Sequence, residues 1–503
     1  MRAEIEATEK TLYDYQLEDL SKIFKFLEEA PEDVNLLYQL PTGGGKTVVF
    51  SEIARRYIQY RKKKVVVLTH RIELSIQTSN MLHGFGVRNK IINSEVKKLD
   101  EQESYDCYVA MVETLNNRLQ DKAIALQGVG LVIIDEAHYN SFRKLFKYFE
   151  KSVILGVTAT PLSSNIKLPM KDHYKKLIVG ETISSLISKK FLARANLYNY
   201  DVSLKSLKLG ISGDYTVKSS DALYGNQQML GKLLNAYEEL GKGTKTLIFN
   251  NGISTSRYVY ETFRRAGYPV RHLDNKNSAS ERREILDWFS TTPDAILTSV
   301  SILTTGFDEP SVETIILNRA TRSLTLYFQM IGRGSRIFKG KNEFTVVDLG
   351  NNIARFGSWD APVNWQDIFH FPDFYLENIR TDEEIEREFV YEMPTLLRAK
   401  FSNSPRIEFD VKAVYKEIFA SGKKSKEVLE RSIEQHATMC LENSKDVFQA
   451  RILAKELSED IEYRIKQYSH CIMNNTKNYR EWLQEDYERK LRLRISQLFA
   501  AKM

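Results

Sequence analysis

The chain has 503 residues, too many for one hydrophobic core, so two or three domains of about 100 to 200 residues each are expected. A hydrophobic content of 42% with 27% charged residues excludes a disordered or fibrous chain, and the absence of any apolar run of about 18 residues excludes an obvious membrane span. The three cysteines, Cys107, Cys440 and Cys471, are too scattered for a disulfide framework, which points to a reducing, cytoplasmic setting, and the net charge of +6 permits nucleic-acid binding without demonstrating it.

From Asn35 to Thr160 short apolar runs alternate with amphipathic stretches, the pattern of parallel strands joined by helices. Strands are expected at 35–39, 65–68, 108–111, 131–134 and 152–155, and each runs into polar residues of the kind that open α/β sheets gather at strand C-termini. The first leads into Leu40-Pro-Thr42-Gly43-Gly44-Gly45-Lys46-Thr47. Glycines there free backbone N–H groups to face phosphate oxygens, Lys46 supplies a point charge, and Thr47 offers a hydroxyl to a magnesium ion. Leu40 stands where the strict phosphate-loop pattern has another glycine. The strand at 131–134 delivers Asp135, a carboxylate placed for a metal, and Glu136, placed to polarise a water. A lone Asp-Glu pair reads most simply as a helix cap, but its place downstream of a glycine loop favours the chemical role.

The stretch 161–245 is mixed and turn-rich around Leu209 to Tyr215, with a boundary between two α/β lobes expected near Lys167 to Ile187. A second cycle follows, with strands at 246–249, 295–298, 314–317 and 344–347. Arg333 and Arg336, three residues apart, would share a helix face and present two guanidinium groups to one triphosphate, with Gln329 one turn earlier and Gly332 permitting close backbone approach. Beyond about Trp365 long charged segments carry apolar residues at helical spacing, such as Val428, Leu429, Ile433, Ala437 and Cys440. In the last segment Trp482 and Leu491 are expected to pack a helix against its own domain at least as readily as to stack on bases. Arg61 to Lys64 reads as a solvated helix end, and His70, His83 and His272 show no metal-ligand spacing.

Seven short motifs in order, at Gln16, Leu40–Thr47, Thr69–Arg71, Asp135–His138, Thr158–Pro161, Gly306–Asp308 and Gln329–Arg336, resemble those of superfamily 2 helicases over about residues 12 to 350. The forms of the third, sixth and seventh are most similar to RadD-type repair helicases and type III restriction motor subunits. The resemblance implies a fold of two tandem RecA-like parallel-sheet lobes, at 1–175 and 176–365, with a mainly helical domain at 366–503. It implies ATP and Mg2+ as ligands, with Gln16 reading adenine, Thr42, Gly43, Gly44, Gly45, Lys46 and Thr47 holding phosphate, and Thr47 and Asp135 holding metal. Lys46, Asp135, Glu136, Gln329, Arg333 and Arg336 become the catalytic set, with Gly306 and Asp308 sensing nucleotide at the cleft. His138, Thr158 and Thr160 would couple hydrolysis to lobe movement, and Thr69, Arg71, Thr114 and Thr304 would touch the nucleic-acid backbone.

This sequence departs from the family at Tyr13, usually arginine, at Glu113, usually glutamine, at Thr305, usually glutamate, and in lacking the zinc-ligand set of RadD-type C-termini. The expected activity is an ATP-dependent helicase or translocase acting on DNA in repair or genome maintenance. An RNA helicase and an ATP-gated clamp that recruits a protein partner through the helical third are the alternatives.

Overall fold

A computed structural model describes residues 12–29, 35–96, 98–99, 102–211, 213–300, 303, 307–388, 390–472 and 476–502. Thr304 and Gly306, two of the expected site residues, lie outside the described residues. The chain divides into two compact units, Met1–Thr381 and Asp382–Met503.

The first unit holds two sheets. One is built from β1 Leu36–Gln39, β2 Lys64–Thr69, β3 Asn89–Ile92, β4 Cys107–Met111, β5 Val129–Asp135, β6 Val153–Thr158 and β7 Lys176–Val179, in the spatial order β3-β4-β2-β5-β6-β1-β7. The other uses β8 Arg194–Asn199, β9 Thr246–Asn250, β10 Val270–Leu273, β11 Ile296–Ser299, β12 Thr314–Asn318 and β13 Glu343–Asp348, in the order β10-β11-β9-β12-β13-β8. Every pairing in both is parallel, from β1 with β6 and β7 to β13 with β8. Parallel strands need crossover connections, which place helices on both faces and bury the strands on both sides. Val65 to Leu68 and Leu131 to Ile134 are accordingly shut off from solvent.

The nine strands expected from the sequence are all present, within three residues at each end. The four not foreseen, β3, β7, β8 and β10, are the four sheet edges. Edge strands have one neighbour and mix polar residues with apolar ones, as in Asn89-Lys-Ile-Ile and Val270-Arg-His-Leu, so the continuous apolar run that marks a central strand is missing. The change of sheet falls between Val179 and Arg194, later than residue 175, because Lys176–Val179 pairs with β1 in the first sheet. At the other end, the helix Trp365–His370 buries Trp365, Ile368 and Phe369 in the core of the sheet-bearing unit, so the helical unit starts at Asp382 and not at 366.

The second unit is helical, with the helices Glu427–Glu442, Ser458–Cys471 and Lys477–Lys502 at its centre. Val428, Leu429, Ile433, Ala437 and Cys440 form one apolar stripe that meets Leu483, Tyr487, Leu491 and Ile495, spaced four apart on the last helix. Leu491 packs as expected, whereas Trp482 stays 47% exposed, stacked on Tyr479 and covered by Lys426.

A charged network crosses this core. Arg464 donates from Nε and Nη2 to Asp460 at 2.9 and 2.8 Å, and from Nη1 to Ser432 and Gln435. His436 Nε2 meets Asp460 at 2.9 Å, and its Nδ1 meets the Tyr487 hydroxyl at 2.9 Å. Each charge is buried but paired, which is the condition for tolerating it there.

Asp460→Ala would leave Arg464 buried without its counter-ion and should destabilise the helical unit by about 3 to 5 kcal/mol, read as faster hydrogen exchange in the helix Ser458–Cys471; unchanged protection would refute the pairing. Burial, with Arg464 beside it, pushes the His436 imidazole down to about 4 despite its bond to Asp460. An unfolded histidine titrates at about 6.5, so between these values the unfolded chain binds more protons. The unit's stability should be fully present above about pH 6.5 and fall as pH drops toward about 4, tracked by the urea midpoint; a midpoint that is flat with pH would contradict this.

Candidate nucleotide cleft and its second-lobe arginines

The glycine loop leaves the end of β1 and runs into the helix Lys46–Arg61. Gly43 and Gly45 take φ values of 86° and 85°, left-handed conformations that glycine adopts without steric cost. Gly45 is also pressed from outside, since a Cβ there would lie 2.5 Å from Gln16 Nε2. Gln16 and Tyr15 hold the loop from below, with the Tyr15 hydroxyl donating to the Gly44 carbonyl at 2.8 Å and Gln16 Nε2 reaching it at 3.4 Å. Gln16 Oε1 accepts from the Tyr13 N–H, and the Tyr13 ring packs on Phe191 at 4.3 Å. Gln16, expected to read adenine, is thus built into the underside of the loop.

Asp135 ends β5 two strands away, with Glu136 next to it. Glu136 has a φ of 53°, a left-handed backbone that costs a non-glycine residue on the order of 1 kcal/mol or more, so the turn is held by its surroundings. Burial, reinforced by Glu136, pushes the Asp135 carboxyl up to about 7 against the pull of Lys46. Glu136 is buried as well, yet Lys46, His138, His70 and Arg333 together hold its carboxyl below the usual range. Burial lowers both imidazoles, so the site favours one ionised carboxylate facing the cations Lys46 and Arg333.

His138 Nδ1 lies 3.1 Å from the Thr158 hydroxyl and 3.4 Å from Glu136 Oε2. Thr158 in turn donates to the Thr160 carbonyl at 3.0 Å and accepts from the Thr160 N–H. Thr160 passes the chain of contacts across the cleft, donating at 2.8 Å to Thr325 of the second sheet's domain. His138, Thr158 and Thr160, expected from the sequence to act together, are therefore contiguous, and Thr325, which no motif flagged, extends their chain of contacts.

Gln329 lies on the helix Leu324–Ile331, but Arg333 and Arg336 do not share a helix face as expected. The helix ends at Gly332, the chain turns through Arg333 N to Met330 O and Gly334 N to Ile331 O, and Arg336 forms an isolated bridge with Leu192. Two glycines explain the turn. A Cβ on Gly334 would run into the Phe344 ring, and one on Gly332 would lie 2.7 Å from Thr42 Cγ2 of the glycine loop. The second lobe therefore touches the phosphate loop through bare backbone, with Leu192 and Ser335 similarly close to Gly43. Arg333 donates to the Phe307 carbonyl and Arg336 pairs with Asp308. Burial lowers both guanidinium groups to about 10, Glu136 acting upward on Arg333, so both stay charged at pH 7.

Among the expected nucleic-acid contacts, Thr69 is buried and its hydroxyl meets Ser75 Oγ at 2.6 Å and the Arg71 carbonyl at 3.3 Å, which shapes the turn after β2. Arg71 follows it and lies near Glu73, which ion-pairs across the cleft with Arg282 at 2.6 Å. Thr114 sits half-buried near the start of the helix Val112–Gln120, and the unusual Glu113 beside it is paired with Lys144.

The donor set fits a magnesium ion held largely by substrate oxygens. Among the described residues no group of three or more His, Cys, Asp or Glu could cage a metal, while one buried carboxylate and one hydroxyl, Asp135 and Thr47, suit an ion that keeps phosphate and water ligands. Among the described residues no helix is long and apolar enough to cross a membrane.

Residues 9–163 match the family described as the type III restriction enzyme res subunit, and residues 226–338 match the helicase conserved C-terminal domain. The chain is 28% identical over 337 residues to a 51.5 kDa protein of a Lactococcus phage, covering 66% of this chain and 69% of that one. It is 27% identical over 399 residues to the putative ATP-dependent helicase IRC3 of Saccharomyces cerevisiae, covering 73% of this chain but 56% of the yeast protein. A fragment of a putative HsdR subunit of a type I restriction enzyme from Vibrio vulnificus shares the fold, with a TM-score of 0.55 and 21% identity over 69% of this chain and 65% of that one.

Because Thr160 and Thr325 oxygens are 2.8 Å apart, Thr160→Cys with Thr325→Cys should form a disulfide under mild oxidation, visible as a mobility shift. Adding Gly332→Ala, whose methyl would collide with Thr42, should slow that cross-link; an unchanged rate would mean that the lobes do not close through Gly332.

Proposed function

For a chain that belongs to the superfamily 2 helicases and is an ATP-hydrolysing enzyme of that family, we propose a motor that moves along DNA. The observation that carries this reading is the placement of Lys46, Asp135 and Glu136 on one sheet and Arg333 and Arg336 on the other, joined where Gly332 meets Thr42. A site divided between lobes works only when they approach, so each hydrolytic cycle has a mechanical consequence.

In this reading the loop N–H groups and Lys46 bind the phosphates, and Glu136 takes a proton from the attacking water. Arg333 and Arg336 neutralise charge that develops on the transferred phosphoryl group. Magnesium, held through Thr47 and Asp135, would neutralise phosphate charge. His138, Thr158, Thr160 and Thr325 pass the state of Glu136 to the second lobe. Arg71 and Thr114 are proposed to meet phosphate groups of the strand, contacts that carry no sequence preference. The type III restriction match weighs toward DNA, and a role in repair or genome maintenance follows from the RadD-like motif forms. A second reading, an RNA helicase, is favoured by 26% identity to the RNA helicase dbp4 of Schizosaccharomyces pombe over 62% of this chain.

ATP turnover measured with single-stranded DNA, duplex DNA and single-stranded RNA should rise most with DNA and vanish in Lys46→Ala. Arg333→Ala should lower kcat by about 10²- to 10³-fold with a smaller change in KM for ATP. Stimulation by RNA alone would transfer the assignment to the second reading, and binding without directional strand displacement would reduce the motor to a clamp. If no polymer stimulates turnover and Lys46→Ala is as active as the parent, both readings are wrong.

A further inference from the structure

Strands β2 and β5 are parallel neighbours, so their C-terminal ends bring two segments together: Thr69-His70-Arg71 and Asp135-Glu136-Ala137-His138-Tyr139. Tyr139, which no motif singles out, becomes the common neighbour. Its ring packs on His70 at 4.5 Å and on His138 at 4.3 Å, tilted by 46° and 41°. The Gln329 side chain of the second lobe lies beside its hydroxyl, and both Glu136 and Arg71 act on it electrostatically. One aromatic ring therefore touches the proposed strand track, the hydrolytic carboxylate's segment and the opposite lobe.

The surroundings of this ring hold a concentration of unmet hydrogen-bonding capacity. Both ring nitrogens of His70, Oε2 of Glu136, Nε2 of His138 and Nε2 of Gln329 are buried without a hydrogen-bond partner of good geometry. Folded proteins rarely leave buried polar atoms so, and five around one side chain mark groups whose partners change during function. Burial holds the His70 imidazole at about 4, against the pull of Glu136, so it is neutral near pH 7 and offers one donor and one acceptor. The fully paired His436 in the helical unit shows what a purely structural buried histidine in this chain looks like.

We propose that Tyr139, packed between His70 and Gln329, couples occupancy of the strand track at Arg71 to the Glu136 carboxylate, which makes Tyr139 and His70 positioning residues for hydrolysis. When a strand engages Arg71, the adjoining His70 ring shifts on the tyrosine face, and the tyrosine sets where Glu136 and Gln329 stand. The proposal rests on the motor reading above.

Turnover is measured against rising concentrations of poly(dT), and separately poly(U), for the parent protein and for Tyr139→Phe, Tyr139→Leu, His70→Ala and Arg71→Ala. Tyr139→Leu and His70→Ala should lower the ratio of saturated to unstimulated turnover about tenfold, while the half-saturating polymer concentration stays within about twofold. Tyr139→Phe keeps the ring, folds as the parent does, and should lose only the share carried by Gln329. Arg71→Ala should instead raise the half-saturating concentration, and combining it with Tyr139→Leu should reduce the ratio no further than Tyr139→Leu alone. A ratio within about twofold of the parent in both Tyr139→Leu and His70→Ala, or a loss removed entirely by more polymer, overturns the coupling and leaves the motor intact. A parent protein that neither polymer stimulates overturns the motor reading and the coupling with it.

Discussion

A buried carboxylate must be compensated, and in this protein the compensation for Glu136 comes from two lobes at once. Lys46 acts on it from the first lobe and Arg333 from the second, with the buried imidazoles of His138 and His70 beside it. Removing either cation would raise the cost of keeping the charge out of water, so the electrostatics of one residue tie the lobes together. The left-handed backbone at Glu136 belongs to the same arrangement, because it turns the chain so that Asp135, Glu136 and His138 crowd one end of β5 and β6.

Close approach across the cleft depends on what is missing from certain residues. Gly332 admits the methyl of Thr42 and Gly43 admits Leu192 and Ser335, so bare glycine backbone of each lobe meets side chains of the other at the glycine loop. Around these contacts sit the part-buried Thr160–Thr325 hydrogen bond and the more exposed Glu73–Arg282 ion pair. The exposed pair is worth little in stability by itself, and the glycine contacts set how near the arginines come to the loop.

The two units treat buried histidines in opposite ways. In the helical unit His436 has both nitrogens engaged, Asp460 is shared between His436 and Arg464, and Tyr487 and Ser432 close the network. In the cleft His70 has neither nitrogen engaged and His138 has one. A satisfied network holds a fold in one arrangement, while an unsatisfied one leaves groups able to take new partners.

The sequence alone determined the two α/β cycles and the order of the polar turns at their strand ends, because central parallel strands are buried on both faces and must be written as unbroken apolar runs ending in polar residues. The positions of the glycine loop, of Asp135 and Glu136 at the end of β5 and of Thr158 and Thr160 after β6 were legible for that reason. The edge strands β3, β7, β8 and β10 were not, since a strand with one neighbour carries a mixed pattern, and with them went the true place where one sheet hands over to the other. Only the tertiary structure decided that Arg333 and Arg336 leave the helix, that Thr69 is spent on its own turn, and that Thr325 and Tyr139 join the site. Such roles arise from contacts between segments far apart in the chain, and no local spacing records which side chain will stand opposite another once two sheets face each other.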